Sequence, residues 1–425
     1  MTDHILVGFG FGPIQSGLFA KEAFQSGRFS RIAVAEIDRA LVHAVRANRG
    51  TYHVNVARAD RIETQRIDNV ELFDPTDTKD NEALRAAMAQ ATEICTCLPS
   101  VNFFTSSGTN SVAAMIADGL ARRGEEPAIV YAAENNNHAA EILQNAVAER
   151  LSGSLPKRVQ FLNTVIGKMS RVVTDPAEIA ALNLTPIVPG IDRAFLVEEF
   201  SHILVSRTTI PGFRPGIDVF VEKDDLLPFE EAKLYGHNAI HALLGFLGAL
   251  KGCGAMTELG DDKAIMQTAR RAFIAESGGA LIARYASLGD KLFTEAGYQR
   301  YADDLLGRIT NPFLADTTTR AARDILRKLG ATDRIFGTMS LAFEYHIRPD
   351  NMATGALAGV AMLLDNAAQY DVPSEFHGMD WQRLDRVGLD RLLRWVWKDE
   401  EPPFGRELID CTWQAKDRLA ELVRP

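Results

Sequence analysis

The sequence predicts an α/β domain built on a parallel, doubly wound sheet, followed by a mainly α-helical domain. Two observations predict it. Up to about residue 206, short apolar runs alternate with helical patterns, as expected for a parallel sheet covered by helices. From about Leu226 the apolar periodicity settles near 3.6 and β-branched clusters become scarce.

In chain order, Ile5–Gly8 reads as a buried strand ending in glycines and Ile14–Gln25 as a helix. Arg31–Ile37, Glu93–Leu98 and Ala128–Ala133 read as further strands, with a helix over Asn81–Ala91. Phe195–Ser206 is expected as one more strand, before the turn-rich TTIPGFRPGID. Helical patterns then cover Leu226–Leu250, Asp261–Leu288, Tyr298–Leu306, Thr317–Leu329, Met352–Gln369 and Asp380–Trp397. The boundary is expected near Gly212–Gly216, giving domains of residues 1–215 and 216–425.

Composition narrows the class. The 425 residues, 46% hydrophobic and 24% charged, are ordinary for a globular chain of two or three domains. A net charge of -10 argues against nucleic acid as a main partner, since a phosphate backbone wants a basic surface. Cys95, Cys97, Cys253 and Cys411 form no CxxC pair and are too few for a disulfide framework. MTDHILVGFGFG has no basic region followed by an apolar one, and no run of 18 apolar residues follows. The expected setting is the cytoplasm, with no membrane partner and the chain as a monomer or small homo-oligomer.

Gly8, Gly10, Gly12 and Gly17 lie between the first strand and the first helix. A dinucleotide-binding turn of the Rossmann type needs glycine there, because the chain turns tightly and its backbone approaches the pyrophosphate. The pattern is imperfect: after Gly10-x-Gly12, the third position is Gln15. Pro13 suits the first helical turn, ahead of Ile14. Glu36, 24 residues after Gly12, stands at the end of the second strand, where an acid binds a ribose 2′-hydroxyl. Its charge favours NAD over NADP, and Asp38 is a second acidic candidate. Arg39 and Arg46 weigh the other way, since an arginine accommodates the extra phosphate. The plainer alternative is a packing turn with Glu36 as a solvated strand end.

FEEAKLYGHNAIHALLGFLGAL carries the second set of candidates. At α-helical spacing, Lys233, His237, His241 and Asn238 fall within one arc of about 140°. Alcohol oxidation needs a base for the hydroxyl proton and donors for the developing carbonyl oxygen. Lys233 serves as that base only if burial and nearby positive charge lower its pKa. Asn238 would hydrogen-bond the oxygen and His241 a neighbouring hydroxyl. Two alternatives stay open: zinc on His237 and His241 with Glu230, or a helix with a snorkelling lysine and satisfied histidines.

These residues form K-x4-N-x2-H. With NAIHALLGFLGALKG, the AEN at Ala133–Asn135, VEEFSHILV at Val197–Val205, LGRITNPFL at Leu306–Leu314 and LRKLGATDR at Leu326–Arg334, the chain resembles the polyol-specific long-chain dehydrogenases. This is the mannitol dehydrogenase family, and the resemblance is strongest to its mannitol-1-phosphate 5-dehydrogenase branch. It implies a Rossmann-type N-terminal domain, a helical C-terminal domain and a metal-independent site in the cleft between them. It further implies NAD as cofactor and reversible oxidation of a polyol phosphate to a ketose phosphate. Lys233 is then the general base, Asn238 and Asn135 stabilise the oxyanion, and His241 contacts substrate.

The chain also departs from the family. Gly167 and Lys168 stand where the family has Asp-Arg, TCLP at Thr96–Pro99 replaces a glycine-containing turn, and the tail beyond Asp380 is long. Within the basic cluster, Arg320, Arg323 and Arg327 are expected to share a helix face. Arg327, Lys328 and Arg334 are the expected phosphate ligands, against a solvated face paired with Asp316, Asp324 or Asp333. The rivals to this reading are an unphosphorylated polyol or sugar acid as substrate, and a nucleotide-binding sensor with weak or no catalysis.

Overall fold

A computed structural model describes residues 4–153, 155–200, 202–398 and 400–424. The chain divides into two compact units between Leu227 and Pro228. The first unit holds twelve described strands: β1 (His4–Phe9), β2 (Phe29–Ala35), β3 (Tyr52–Ala57), β4 (Ile62–Ile67), β5 (Val70–Phe73), β6 (Glu93–Thr96), β7 (Ala128–Ala132), β8 (Val159–Val165), β9 (Ser170–Val173), β10 (Ala194–Glu198), β11 (Ile203–Ser206) and β12 (Phe220–Lys223).

Eight of them form one sheet in the order β12-β11-β8-β7-β6-β1-β2-β5. All neighbours are parallel except β11 against β8. Leu6, Val34 and Tyr131 face one core, while Val7, Ala33 and Val130 face another. Both faces are therefore covered, which is why these strands read as unbroken apolar runs. The remaining four form a second sheet, β4-β3-β10-β9. Tyr52, Val54 and Val56 of that sheet share a core with the first helix of the chain.

Three expectations change. Residues 195–206 are two strands in different sheets, β10 and β11, and Ser201 between them lies outside the described residues. The compact unit runs past residue 215, because β12 pairs in parallel with β11. The segment 317–329 is two short helices, Thr318–Ala322 and Ile325–Lys328, separated by Asp324 at φ 59°. A left-handed residue breaks a right-handed helix, so Arg320, Arg323 and Arg327 do not share one helix face.

Among the described residues of the second unit, the regular elements are helices joined by loops, with one isolated bridge between Ala255 and Thr317. Helix Ala239–Lys251, almost wholly buried, packs against helix Asp350–Asp365 and the short helix Thr318–Ala322. The tail folds as helices Arg386–Val396, Gly405–Gln414 and Lys416–Leu422. Trp397 donates its indole N–H to Leu329 O at 3.0 Å, bracing the segment that holds Lys328 and Arg334. Among the described residues, no helix is long and apolar enough to cross a membrane, and all four cysteines are free.

Candidate active site

In the first unit the glycine turn leaves β1 and meets the end of β2. Gly10 has φ +80°, and a Cβ there would stand 2.9 Å from Cys97 O, so both conformation and space require glycine. At Gly12 a Cβ would meet nothing within 4 Å, which leaves that side of the turn open. The missing third glycine is also explained. Gln15 is fully buried and lies over Gly8, where a Cβ would come within 2.4 Å of its amide. Glycine at position 8 thus makes room for the Gln15 side chain.

Pro13 and Ile14 open the helix, which continues as a π turn over Gln15–Phe19. The buried Tyr52 hydroxyl donates to Ser16 O at 2.7 Å, supplying a side-chain donor inside that wide turn. Glu36 ties the turn to β2: its carboxylate accepts Phe11 N–H and Asp38 N–H, both at 2.7 Å. Asp38 caps the next helix through Ala40 N–H and Leu41 N–H and pairs with Arg193 at 2.5 Å. Burial raises its pKa, but Arg193 and the capping bonds outweigh this and leave the carboxyl below its ordinary value.

The AEN segment follows β7. Glu134 is buried and accepts from Thr96 Oγ1 and Leu98 N–H, both at 2.8 Å, so it holds the TCLP turn in place. Burial raises its pKa. Asn135 is exposed and belongs to this first unit. Lys168 is buried and donates to Glu198 O and Phe200 O. It fastens the end of β10 to the connection beyond it.

In the second unit, Ala232–Asn238 is a π-helix leading into Ala239–Lys251. The α-helical arithmetic of the sequence therefore does not hold over this stretch. With i→i+5 bonding, the wider turn brings Lys233 and Asn238 nearer to one face than the roughly 140° of the α-helical arithmetic. Single π turns inside α-helices recur at functional sites. Tyr301 OH donates to Ala232 O at 3.4 Å and Thr338 Oγ1 to Tyr235 O at 3.1 Å, which supports this turn from outside. Gly236 lets it pack closely, since a Cβ there would stand 2.8 Å from the Phe273 ring.

The electrostatics of this stretch are cationic. Burial, opposed by Glu230 and aided by Arg334, lowers the Lys233 pKa to about 8. His237 is buried, and burial with Arg308, His241 and Lys233 holds it well below the ordinary imidazole value, so it is neutral at pH 7. His241 Nε2 lies 2.9 Å from Asp316 Oδ2, and Arg320 donates to Asp316 Oδ1 at 2.7 Å. Burial raises the Asp316 pKa, but His241 and Arg320 more than offset it and hold the carboxyl well below the usual range. Among the described residues, no three His, Cys, Asp or Glu side chains gather where they could hold a metal ion.

Residues 225–375 match the mannitol dehydrogenase C-terminal domain. The match spans Lys233, Asn238, His241, Asp316, Lys328 and Arg334 and supports the mannitol dehydrogenase family. The whole fold is similar to that of a D-sorbitol dehydrogenase, at a TM-score of 0.75 and 16% identity over 99% of this chain and 94% of that one. It is also similar to the Pseudomonas fluorescens mannitol 2-dehydrogenase, solved with NAD and D-mannitol, at a TM-score of 0.70, 16% identity and the same coverage.

The basic cluster is only partly gathered. Arg327 is exposed and pairs with Asp324 at 3.3 Å. Lys328 is buried and donates to Ala321 O at 2.7 Å; burial and Arg334 lower its pKa to about 7. Arg334 is buried beside Asp333 at 2.7 Å. Asp316 entered the sequence reading only as a partner for surface arginines. Its place beside His241, 75 residues away, left no mark in local spacing.

Proposed function

We propose that this chain is an NAD-dependent dehydrogenase that oxidises a secondary alcohol of an open-chain polyol, reversibly, to a ketose. The observation that carries the proposal is Lys233, a buried lysine whose pKa burial lowers to about 8, in the same π turn as Asn238 and within the residues that match a mannitol dehydrogenase C-terminal domain. A base poised near operating pH is what proton removal from a hydroxyl requires.

The turn in the first unit fits a dinucleotide. Its open side at Gly12 would admit a pyrophosphate. Each Glu36 oxygen accepts only one backbone N–H here and keeps a lone pair for a ribose hydroxyl. Ile37, 76% exposed next to Glu36, offers an apolar face to a base. When bound, NAD supplies the hydride acceptor. Lys233 takes the hydroxyl proton, Asn238 and Asn135 donate to the developing carbonyl oxygen, and His241 holds an adjacent hydroxyl. No metal takes part in this reading.

Arg334, a buried cation, and Lys328, a buried amine whose pKa is lowered to about 7 and which a phosphate would draw into its charged form, would receive a terminal phosphate as in a mannitol-1-phosphate-like substrate. Arg327, exposed and paired with Asp324 at 3.3 Å, is the least enclosed of the three expected phosphate ligands. Four free thiols fit a cytoplasmic setting. The test is NADH formation across a panel of polyols and their phosphates. Turnover of at least one supports the proposal. Tight NADH binding with no turnover of any would replace it with the sensor reading.

A further inference from the structure

His241 can meet a substrate hydroxyl in two opposite ways, and its second nitrogen decides which. A neutral imidazole has one N–H and one bare nitrogen, and the partner of one nitrogen fixes the role of the other. The partner here is Asp316, on the loop before the short helix Thr318–Ala322. Its side chain is 1% exposed, and both oxygens are committed. Oδ1 accepts Arg320 Nη1 at 2.7 Å and Thr317 N–H at 2.9 Å, and Oδ2 faces His241 Nε2 at 2.9 Å. The Asp316 carbonyl also accepts Met256 N–H at 2.9 Å, which anchors the residue from the backbone.

We propose that Asp316 is a positioning residue that locks His241 as the Nε2–H tautomer, so that His241 presents Nδ1 as a hydrogen-bond acceptor. An ionised carboxylate only accepts, so the hydrogen between the two residues belongs to Nε2. The 20% of the His241 side chain that remains accessible then offers an acceptor to the substrate. Resting on the dehydrogenase reading, this sets a specificity: the hydroxyl beside the reacting carbon donates to His241. An analogue with an ether or fluorine there has no hydrogen to give and is rejected.

The committed oxygens also predict what Asp316→Asn does. Two donors already point at the Oδ1 position, so the amide oxygen settles there and the amide NH2 faces His241. Nε2 must then accept, and the imidazole inverts to Nδ1–H.

The test is 15N NMR of the full-length protein labelled at histidine, near pH 9, with His241→Gln used for assignment. Wild type should give protonated Nε2 and bare Nδ1. Asp316→Asn should give the inverse, and Arg320→Gln, which keeps the carboxylate, should retain the wild-type form. Wild-type His241 protonated on Nδ1, or a folded Asp316→Asn protein with unchanged His241 shifts, overturns the proposal. In turnover, Asp316→Asn should raise polyol KM roughly 10- to 100-fold, the loss expected when a buried polar contact is mismatched, while NADH affinity stays at the wild-type value. If the wild type turns over no polyol, the dehydrogenase reading fails, and the NMR result alone still decides the tautomer.

Discussion

Replacing Lys233 with Met removes the amine while keeping much of the side-chain volume. At pH 7, a lysine titrating at about 8 is neutral in roughly one molecule in ten, against one in a few thousand at the ordinary value of 10.5. Burial and Arg334 thus raise the population of competent base about 300-fold. Loss of general-base catalysis should cost roughly 10²- to 10⁴-fold in kcat. NADH affinity, read by fluorescence titration, should be unchanged, because the glycine turn belongs to the first unit. The sign of the pH effect follows from the neutral amine being the active form. Wild-type oxidation should rise through one ionisation near 8 and level off above it, and the variant should lose that rise. Glu230→Gln, which removes the charge that raises the Lys233 pKa, should move the ionisation lower. Near-wild-type turnover by Lys233→Met, or an unchanged pH profile in it, would refute the assignment.

Three other outcomes follow from the same geometry. Glu36→Ala should weaken NAD binding and narrow the preference over NADP, read by paired titrations; equal wild-type affinity for both would contradict the role given to Glu36. Incubation with a chelator should leave turnover unchanged, with no stoichiometric zinc by elemental analysis; one chelator-sensitive zinc per chain would return His237 and His241 to the role of ligands. Lys328→Met should raise KM for a polyol phosphate about 10-fold or more while affecting the free polyol less, given about 1.5–3 kcal/mol for a hydrogen bond to a charged group. An equal effect on both substrates would remove the phosphate from the account.

The parts of this fold that were legible in sequence are those where local pattern and tertiary burial agree. β1, β2 and β7 are covered on both faces and carry apolar runs of four residues or more. The glycine turn is legible because Gly10 must hold φ +80° against Cys97 O. The second sheet was not, because strands such as Ile62–Ile67 (IETQRI) alternate polar and half-buried residues over a short span. The π turn at Ala232–Asn238 was invisible to an argument that assumes 3.6 residues per turn, since its support comes from Tyr301 and Thr338, far along the chain. The helix break at Asp324 depends on one left-handed residue that is not glycine. K-x4-N-x2-H was legible as a set of residues. Its arrangement, and the carboxylate behind His241, came only from the folded chain.

The central claim is that a hydride leaves a polyol carbon for NAD in this protein. The most direct measurement uses a polyol deuterated at its secondary carbinol carbons, incubated with the wild-type protein and NAD, with mass analysis of the nucleotide formed. The account predicts reduced nucleotide one deuterium heavier than the unlabelled control, together with the ketose. Reduced nucleotide without the label, or none with any polyol or polyol phosphate, would contradict it.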